Sequence, residues 1–241
     1  MCLIVFAWKV IPGTPLIAAA NRDEFYDRPA DRAAWWEDHP QVYAGRDLRG
    51  GGTWLGIARQ GRFAALTNIR GPGERRDCAP SRGSLVAGFL SGDDSPHQYL
   101  ERVRGPSEHY NGFNLIIGDD QDMIWYSNRE HSDPRNGQPL APGIYGLSND
   151  RLDAPWPKVV RTKAQFASML CQAAPTEAYF EMLKDTTRAA DCRLPKTGVS
   201  LEMERLLSAV CIESETYGTR VSTVVQLHAD RSVSLDERPV R

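Results

Sequence analysis

Cys2 directly follows the initiator Met1 and opens an apolar, β-rich run. A small penultimate residue permits removal of Met1, which leaves Cys2 with a free α-amine. One residue then carries both a thiol nucleophile and a base. An α-amine titrates at about 7.7 to 8.0 and can take the thiol proton directly or through one water. The plain alternative is a small apolar residue at the start of a buried strand.

Four polar residues, Asn21-Arg22-Asp23-Glu24, follow the apolar stretch Leu16 to Ala20. A hairpin of Cys2 to Val10 with Pro15 to Asp23, turning at residues 12 to 14, brings Cys2 and Asn21 to Asp23 to the same end. An acid there can hold an ammonium or orient an amine. It can equally be a polar strand end entering a loop. Asn68 and Asn149 each end a strand-like segment and can donate to a developing oxyanion, or serve as turn residues. Arg220 opens a β-branched stretch and can pair a carboxylate, or face the nucleophile or a substrate carboxylate.

Asn21, Arg22, Glu24 and Trp54 are further candidates to support the site or touch substrate. Trp35 and Trp36 read as packing residues. Gly50-Gly51-Gly52 lacks the Gly-Lys-Ser/Thr of a phosphate loop; it suits a tight bend or a close substrate approach.

The elements that must position these groups are short. Strands are expected at Cys2 to Val10, Leu16 to Ala20, Thr53 to Ala58, Arg62 to Thr67, Asn111 to Gly118, Met123 to Ser127, Gly143 to Ser148 and Arg220 to Leu227. Helices are expected at Ser84 to Ser91, His97 to Val103, Pro157 to Ala173, Thr176 to Lys184 and Leu201 to Ser208. In the longest, Val159, Val160, Phe166, Met169 and Leu170 make the apolar face. Long loops cover Ile69 to Pro80 and Ser127 to Pro142. Hairpins interrupted by helices suggest one α+β domain over residues 1–241, with first and last strands in contact.

Composition narrows the class. Of 241 residues, 41% are hydrophobic and 25% charged, as in globular domains. With 29 basic and 31 acidic residues the net charge is −2, which offers no footprint for nucleic acid. No apolar run nears the roughly 18 to 20 residues of a membrane span, and Leu3 to Trp8 is too short for a secretory signal. A cytoplasmic protein without stable membrane insertion is expected. Five scattered cysteines without a Cys-x-x-Cys pair suggest neither disulfides nor zinc, so no metal site is expected.

Met1-Cys2-Leu3, Asn21-Arg22-Asp23-Glu24-Phe25, Gly51-Gly52-Thr53-Trp54-Leu55-Gly56, Ala65-Leu66-Thr67-Asn68, Tyr145-Gly146-Leu147-Ser148-Asn149 and Tyr217-Gly218-Thr219-Arg220-Val221-Ser222-Thr223 together resemble the NRDE family. That family is also called transport and Golgi organisation protein 2. It is similar to the amino-terminal-nucleophile hydrolases of the cholylglycine hydrolase and penicillin V acylase type.

The resemblance implies an αββα sandwich of two antiparallel sheets between helical layers. It implies Cys2 as nucleophile, Asp23 as the acid holding its amine, Asn68 and Asn149 as the oxyanion hole, and Arg220 beside the thiol, lowering its pKa. Those hydrolases carry an arginine shortly before the Asn-x-Asp, where this chain has Ala18 to Ala20. Arg22 stands between Asn21 and Asp23, so on a strand it points to the opposite face.

The implied reaction is acyl transfer on a linear amide, with a small-molecule amide or a lipid-like molecule as substrate and no cofactor. The eukaryotic relatives are linked to secretory organisation, lipid balance and haem movement. A haem or lipid carrier on the same scaffold is therefore the alternative, with Cys2, His39, His97, His109, His131 or His228 as candidate axial ligands. A structural interaction protein is a third.

The first requirement is testable without a substrate. In the chain expressed without an amino-terminal tag, intact mass should show Met1 absent, and Cys2 should alkylate much faster than Cys78, Cys171, Cys192 and Cys211. Full retention of Met1 would exclude the amine as base.

Overall fold

The computed structural model describes residues 2–74 and 76–240. Met1, whose removal the sequence reading requires, lies outside the described residues. Two strands, β1 (Cys2–Ile11) and β2 (Thr14–Phe25), form the hairpin expected around Gly13, whose φ of +77° suits only glycine at low cost.

β2 is central in its sheet. It pairs β1 on one side and β10 (Tyr217–Leu227) on the other; β9 (Gly143–Leu147) and β11 (Val233–Pro239) complete five strands in the order β11-β10-β2-β1-β9. The second sheet runs β3 (Ala30–Trp35), β4 (Val42–Asp47), β5 (Leu55–Ala58), β6 (Arg62–Asn68), β7 (Phe113–Gly118) and β8 (Met123–Ser127) in chain order. Every pairing is antiparallel.

Strand alternation assigns the layers. On β1, Ile4, Phe6 and Trp8 join Leu16, Ala18 and Ala20 of β2 in a core shared with Leu55, Phe63, Ile116 and Trp125 of the second sheet. Leu3, Val5, Ala7, Ile17 and Ala19 point the other way. They pack under α3 (Pro157–Cys171) and α4 (Thr176–Leu183). The outer face of the second sheet packs under α1 (Gly83–Ser91) and α2 (Pro96–Arg104). The order is thus helices, sheet, sheet, helices: an αββα sandwich. Small residues stand beside large ones across the hairpin, Ala18 opposite Phe6 and Ala20 opposite Ile4.

Local signals start the helices. Ser95 and Gln98 form a reciprocal capping box ahead of Pro96 at the start of α2. Ser200 caps α5 (Leu201–Leu207) through the Met203 N–H.

Three expectations need correction. β2 runs through Asn21-Arg22-Asp23-Glu24 to Phe25 rather than stopping at Ala20, because strands on both sides satisfy its backbone. The first and last strands do not touch: β2 lies between β1 and β10, and β11 forms the edge. In α3, Val160 is 54% exposed while Lys158 is 1% exposed, so the buried stripe is Lys158, Val159, Thr162, Phe166 and Leu170. Among the described residues no helix is long and apolar enough to cross a membrane.

Asn21 ties the layers together. Its Nδ2 donates to the carbonyls of Leu183 (2.8 Å) and Val210 (2.9 Å), and its Oδ1 accepts from Ser222 Oγ (2.6 Å). Asn21→Ala strands all three groups in a buried place and should destabilise by on the order of 3 kcal/mol. Asn21→Asp cannot donate and should do no better. A urea unfolding midpoint unchanged in Asn21→Ala would refute this role.

Candidate active site

The β1–β2 register decides who meets whom. Cys2 pairs directly with Arg22, and directly opposed residues share a face. Cys2 continues the Ile4, Phe6, Trp8 series, so the thiol stands at the open end of the inter-sheet space with Arg22 beside it. Asp23 is one step further, across from the position preceding Cys2. There the α-nitrogen of Cys2 enters the strand. Asp23 and Asn21 point to the helical face. Arg22 therefore does lie opposite to them, as expected, and that face is the thiol's own.

Burial, the largest influence on the Cys2 thiol, pushes its pKa up, and the Asp23 carboxylate adds to this. The Arg22 guanidinium and the Asp23 backbone N–H, which donates to the sulfur, pull it down. Arg22 is 6% exposed, stacks on Trp54 with its guanidinium carbon 4.0 Å from the ring centre, and donates to Asp47 Oδ2 at 3.2 Å.

Asp47 also accepts from Arg28 Nε (2.6 Å) and from the backbone N–H of Gly50 (2.8 Å). Burial would raise the Asp47 carboxyl, but these hydrogen bonds outweigh it and hold it low. Asp47 belongs to the second sheet, so this cluster clamps the two sheets at the site. The Gly50–Gly52 loop makes the tight bend. Gly51 has φ +71°, and a Cβ on Gly52 would lie 2.3 Å from the Gly83 carbonyl carbon at the start of α1.

Asp23 is buried. Its Oδ1 accepts from Thr219 Oγ1 at 2.7 Å. Burial raises its pKa, while Lys158 and the Thr219 hydrogen bond oppose that rise. Glu24 lines the groove and approaches Arg28 at 3.9 Å.

A groove of about 600 Å³ opens at this end, with Cys2 and Asn68 in its wall. Its lining is charged, with Arg22, Arg28, Arg49, Arg76 and Arg82 against Asp23, Glu24, Asp47 and Asp77. Arg82 caps α1 without a side-chain cap bond, donates to the Gly112 carbonyl at 2.9 Å, and lies within electrostatic reach of Glu24 and Cys2.

Asn68 ends β6, and its carbonyl accepts from Asn149 Nδ2 at 2.8 Å. Asn149 is fully buried and is not among the residues lining the groove. Ser148 Oγ links Asn149 Oδ1 (3.2 Å) to the Cys2 carbonyl (3.1 Å). This chain of bonds joins the start of β1 to the end of β6.

Arg220 is not placed as expected. It sits in a bulge where the β10 pairing shifts from Thr219–Asp23 to Val221–Arg22, and its guanidinium donates to the Arg28 carbonyl. The guanidinium acting on Cys2 belongs to Arg22 instead.

Lys158 escaped the sequence reading. Its Nζ is buried with no hydrogen-bond partner among the described residues. Burial lowers its pKa to about 8 against the pull of Asp23. The signal available was its i, i+4, i+8 spacing with Thr162 and Phe166. No histidine is among the groove-lining residues, and among the described residues no His/Cys/Asp/Glu group could hold a metal ion.

The chain matches the family described as Transport and Golgi organisation 2 over residues 1–241. It is 39% identical to the Transport and Golgi organization protein 2 homolog of Bos taurus and 38% identical to that of Homo sapiens, each alignment covering 99% of this chain and 92% of the relative. The Drosophila melanogaster protein is 30% identical, over 98% and 91%.

Among solved structures it is similar to the Caenorhabditis elegans N-acylethanolamine-hydrolyzing acid amidase ortholog, with TM-score 0.48, 11% identity and 92% of each chain covered. Penicillin V acylase from Agrobacterium tumefaciens gives TM-score 0.43 and 12% identity, covering 100% of this chain and 86% of that one. On the full-length family match and the relatives' identity, the chain belongs to the Transport and Golgi organisation 2 family.

Proposed function

We propose that the chain is an amidase that uses the Cys2 thiol as nucleophile and the Cys2 α-amine, freed by loss of Met1, as base. The observation that carries this is the register. One strand end presents the thiol to the groove, and Asp23, one step on, lies where that amine would be.

The neutral amine takes the thiol proton. The thiolate then attacks the carbonyl carbon, and its electron pair forms the C–S bond while the carbonyl oxygen becomes an oxyanion. We assign Asn68, which lines the groove with Cys2, as the donor to that charge. Asn149 acts from behind, holding the Asn68 backbone through its amide. Collapse breaks the C–N bond, and the α-ammonium gives its proton to the leaving amine. Water then attacks the thioester with the amine again as base, releasing the acid and the thiol.

Arg22 stabilises the thiolate, the role the family resemblance implied for Arg220. The arginine-rich lining suits a linear amide bearing a carboxylate or other anion better than a bare acyl chain. A haem carrier would find only Cys2 among its candidate ligands in the groove wall, so the geometry supports the amidase.

A panel of N-acyl amino acids, with products separated by mass spectrometry, tests this. Cys2→Ala should abolish turnover of whatever the wild type cleaves, and Asn68→Ala should lower kcat by roughly 10²- to 10³-fold. Wild-type turnover by Cys2→Ala would overturn the proposal.

A further inference from the structure

We infer that Lys158 is a positioning residue: its buried ammonium is the standing counter-ion of Asp23, which leaves the α-amine of Cys2 neutral and able to act as base. The inference rests on the amidase reading and adds a requirement to it. A carboxylate opposite a lone amine favours the ammonium form, and an ammonium cannot take a thiol proton. Asp23 alone would therefore disable the base it positions.

The geometry supplies the remedy. Lys158 is the second residue of α3, on the stripe that packs against the helical face of the five-stranded sheet. Asn21 and Asp23 point to that same face. Lys158 is 1% exposed, and its Nζ has no hydrogen-bond partner among the described residues. An ammonium so buried is expensive unless charge compensates it.

The charged and titratable groups around it come from every neighbouring element. Asp23 of β2 and a Cys2 thiolate of β1 attract it, and Arg70, after β6, repels it. Arg70 is itself engaged, 3.1 Å from Glu204 of α5 and stacked on Trp156 at 4.5 Å. Glu24 and the buried Tyr217 of β10, which packs beside α5, also bear on Asp23 and Cys2. Glu204 thus absorbs the Arg70 charge, and Asp23 is left as the carboxylate for Lys158. With Lys158 charged and within electrostatic reach of Asp23, a second ammonium beside Asp23 meets a like charge and is disfavoured.

The sign of the test follows. Removing a positive charge favours the protonated form of every neighbour. In Lys158→Met the α-amine, the thiol and Asp23 should all titrate at higher pH. The pH profile of Cys2 alkylation, read from the amino-terminal peptide mass, should move up by about one unit. Thr162→Val, on the same buried stripe, removes the hydroxyl that donates to the Lys158 carbonyl (2.7 Å) without altering charge, and should leave the profile in place. An unmoved profile in folded Lys158→Met would overturn the role of Lys158.

If the Met variant does not fold, the coupling is read from the lysine itself. In the wild-type chain the ¹³Cε resonance of Lys158 should titrate near pH 8, and its midpoint should fall in Asp23→Asn. A midpoint indifferent to Asp23 overturns the inference. Neither arm needs a substrate. A wild-type profile without the amine's titration, in protein lacking Met1, would defeat the amidase reading; a normal wild-type profile with an indifferent Lys158 would defeat only this one.

Discussion

The pairing of Cys2 with Arg22 is the constraint on which the rest of the site depends. Strand side chains alternate with a period of two, so a slip of one residue would exchange the faces on which Arg22 and Asp23 stand. The register is held at several points. Phe6 and Trp8 fit only against Ala18 and Leu16 in the inter-sheet core. Asn21 satisfies two carbonyls in the helical layer, and nothing at the neighbouring positions could replace it. The charged motif can therefore lie inside a sheet, because apolar packing upstream fixes which face each charge meets.

Buried charge is handled here in local groups. Arg22 and Arg28 share Asp47, Arg70 has Glu204, and Asp23 lies within reach of Lys158. Buried ion pairs add little net stability, because desolvation offsets their attraction, but breaking one costs several kcal/mol. Their effect is to specify one arrangement. Arg22–Asp47 joins the two sheets, and Arg70–Glu204 joins the β6 exit to α5. The groove thereby opens where the two sheets meet, and the loops that carry Arg49, Arg76, Asp77 and Asn111 complete its wall. The charges at its wall are held in place before any ligand arrives, which is the condition for electrostatic help to a reaction.

Much of this was legible in the sequence. The five helices lie within a few residues of their expected bounds, because caps and helical periodicity are local signals. The first hairpin was legible from its turn, and with it the meeting of Cys2 and Asp23. The strands β3, β4 and β11 were not. They are short or half-exposed, and Asp31, Arg32, Asp236, Glu237 and Arg238 break their apolar alternation. Lys158 and Val160 exchanged places because a helix with polar residues on most sides admits two readings of its buried stripe. Only the sheet beneath, with a carboxylate in it, distinguishes them. The placements of Arg22 and Arg220 were hidden for a similar reason. A bulge in β10 interrupts the pairing at Arg220, whose guanidinium donates to the Arg28 carbonyl, and bulges leave no mark in residue types here.

The same strand end explains why the proposed chemistry belongs at the first residue of the mature chain. An interior strand residue offers one side chain to one face, and its nitrogen is spent in an amide. A first residue offers its thiol to one face and an amine in the plane of the sheet, within reach of groups on the other. Cys2 can then face the groove while its amine answers to Asp23 and, through Asp23, to Lys158 beneath the sheet. On the proposed reading the two faces of β2 become two halves of one site: the arginine-lined face toward the groove would bind substrate, and the face toward α3 would set the charge of the base. Tuning the base from the dry side keeps Lys158 out of water, where its charge would be screened.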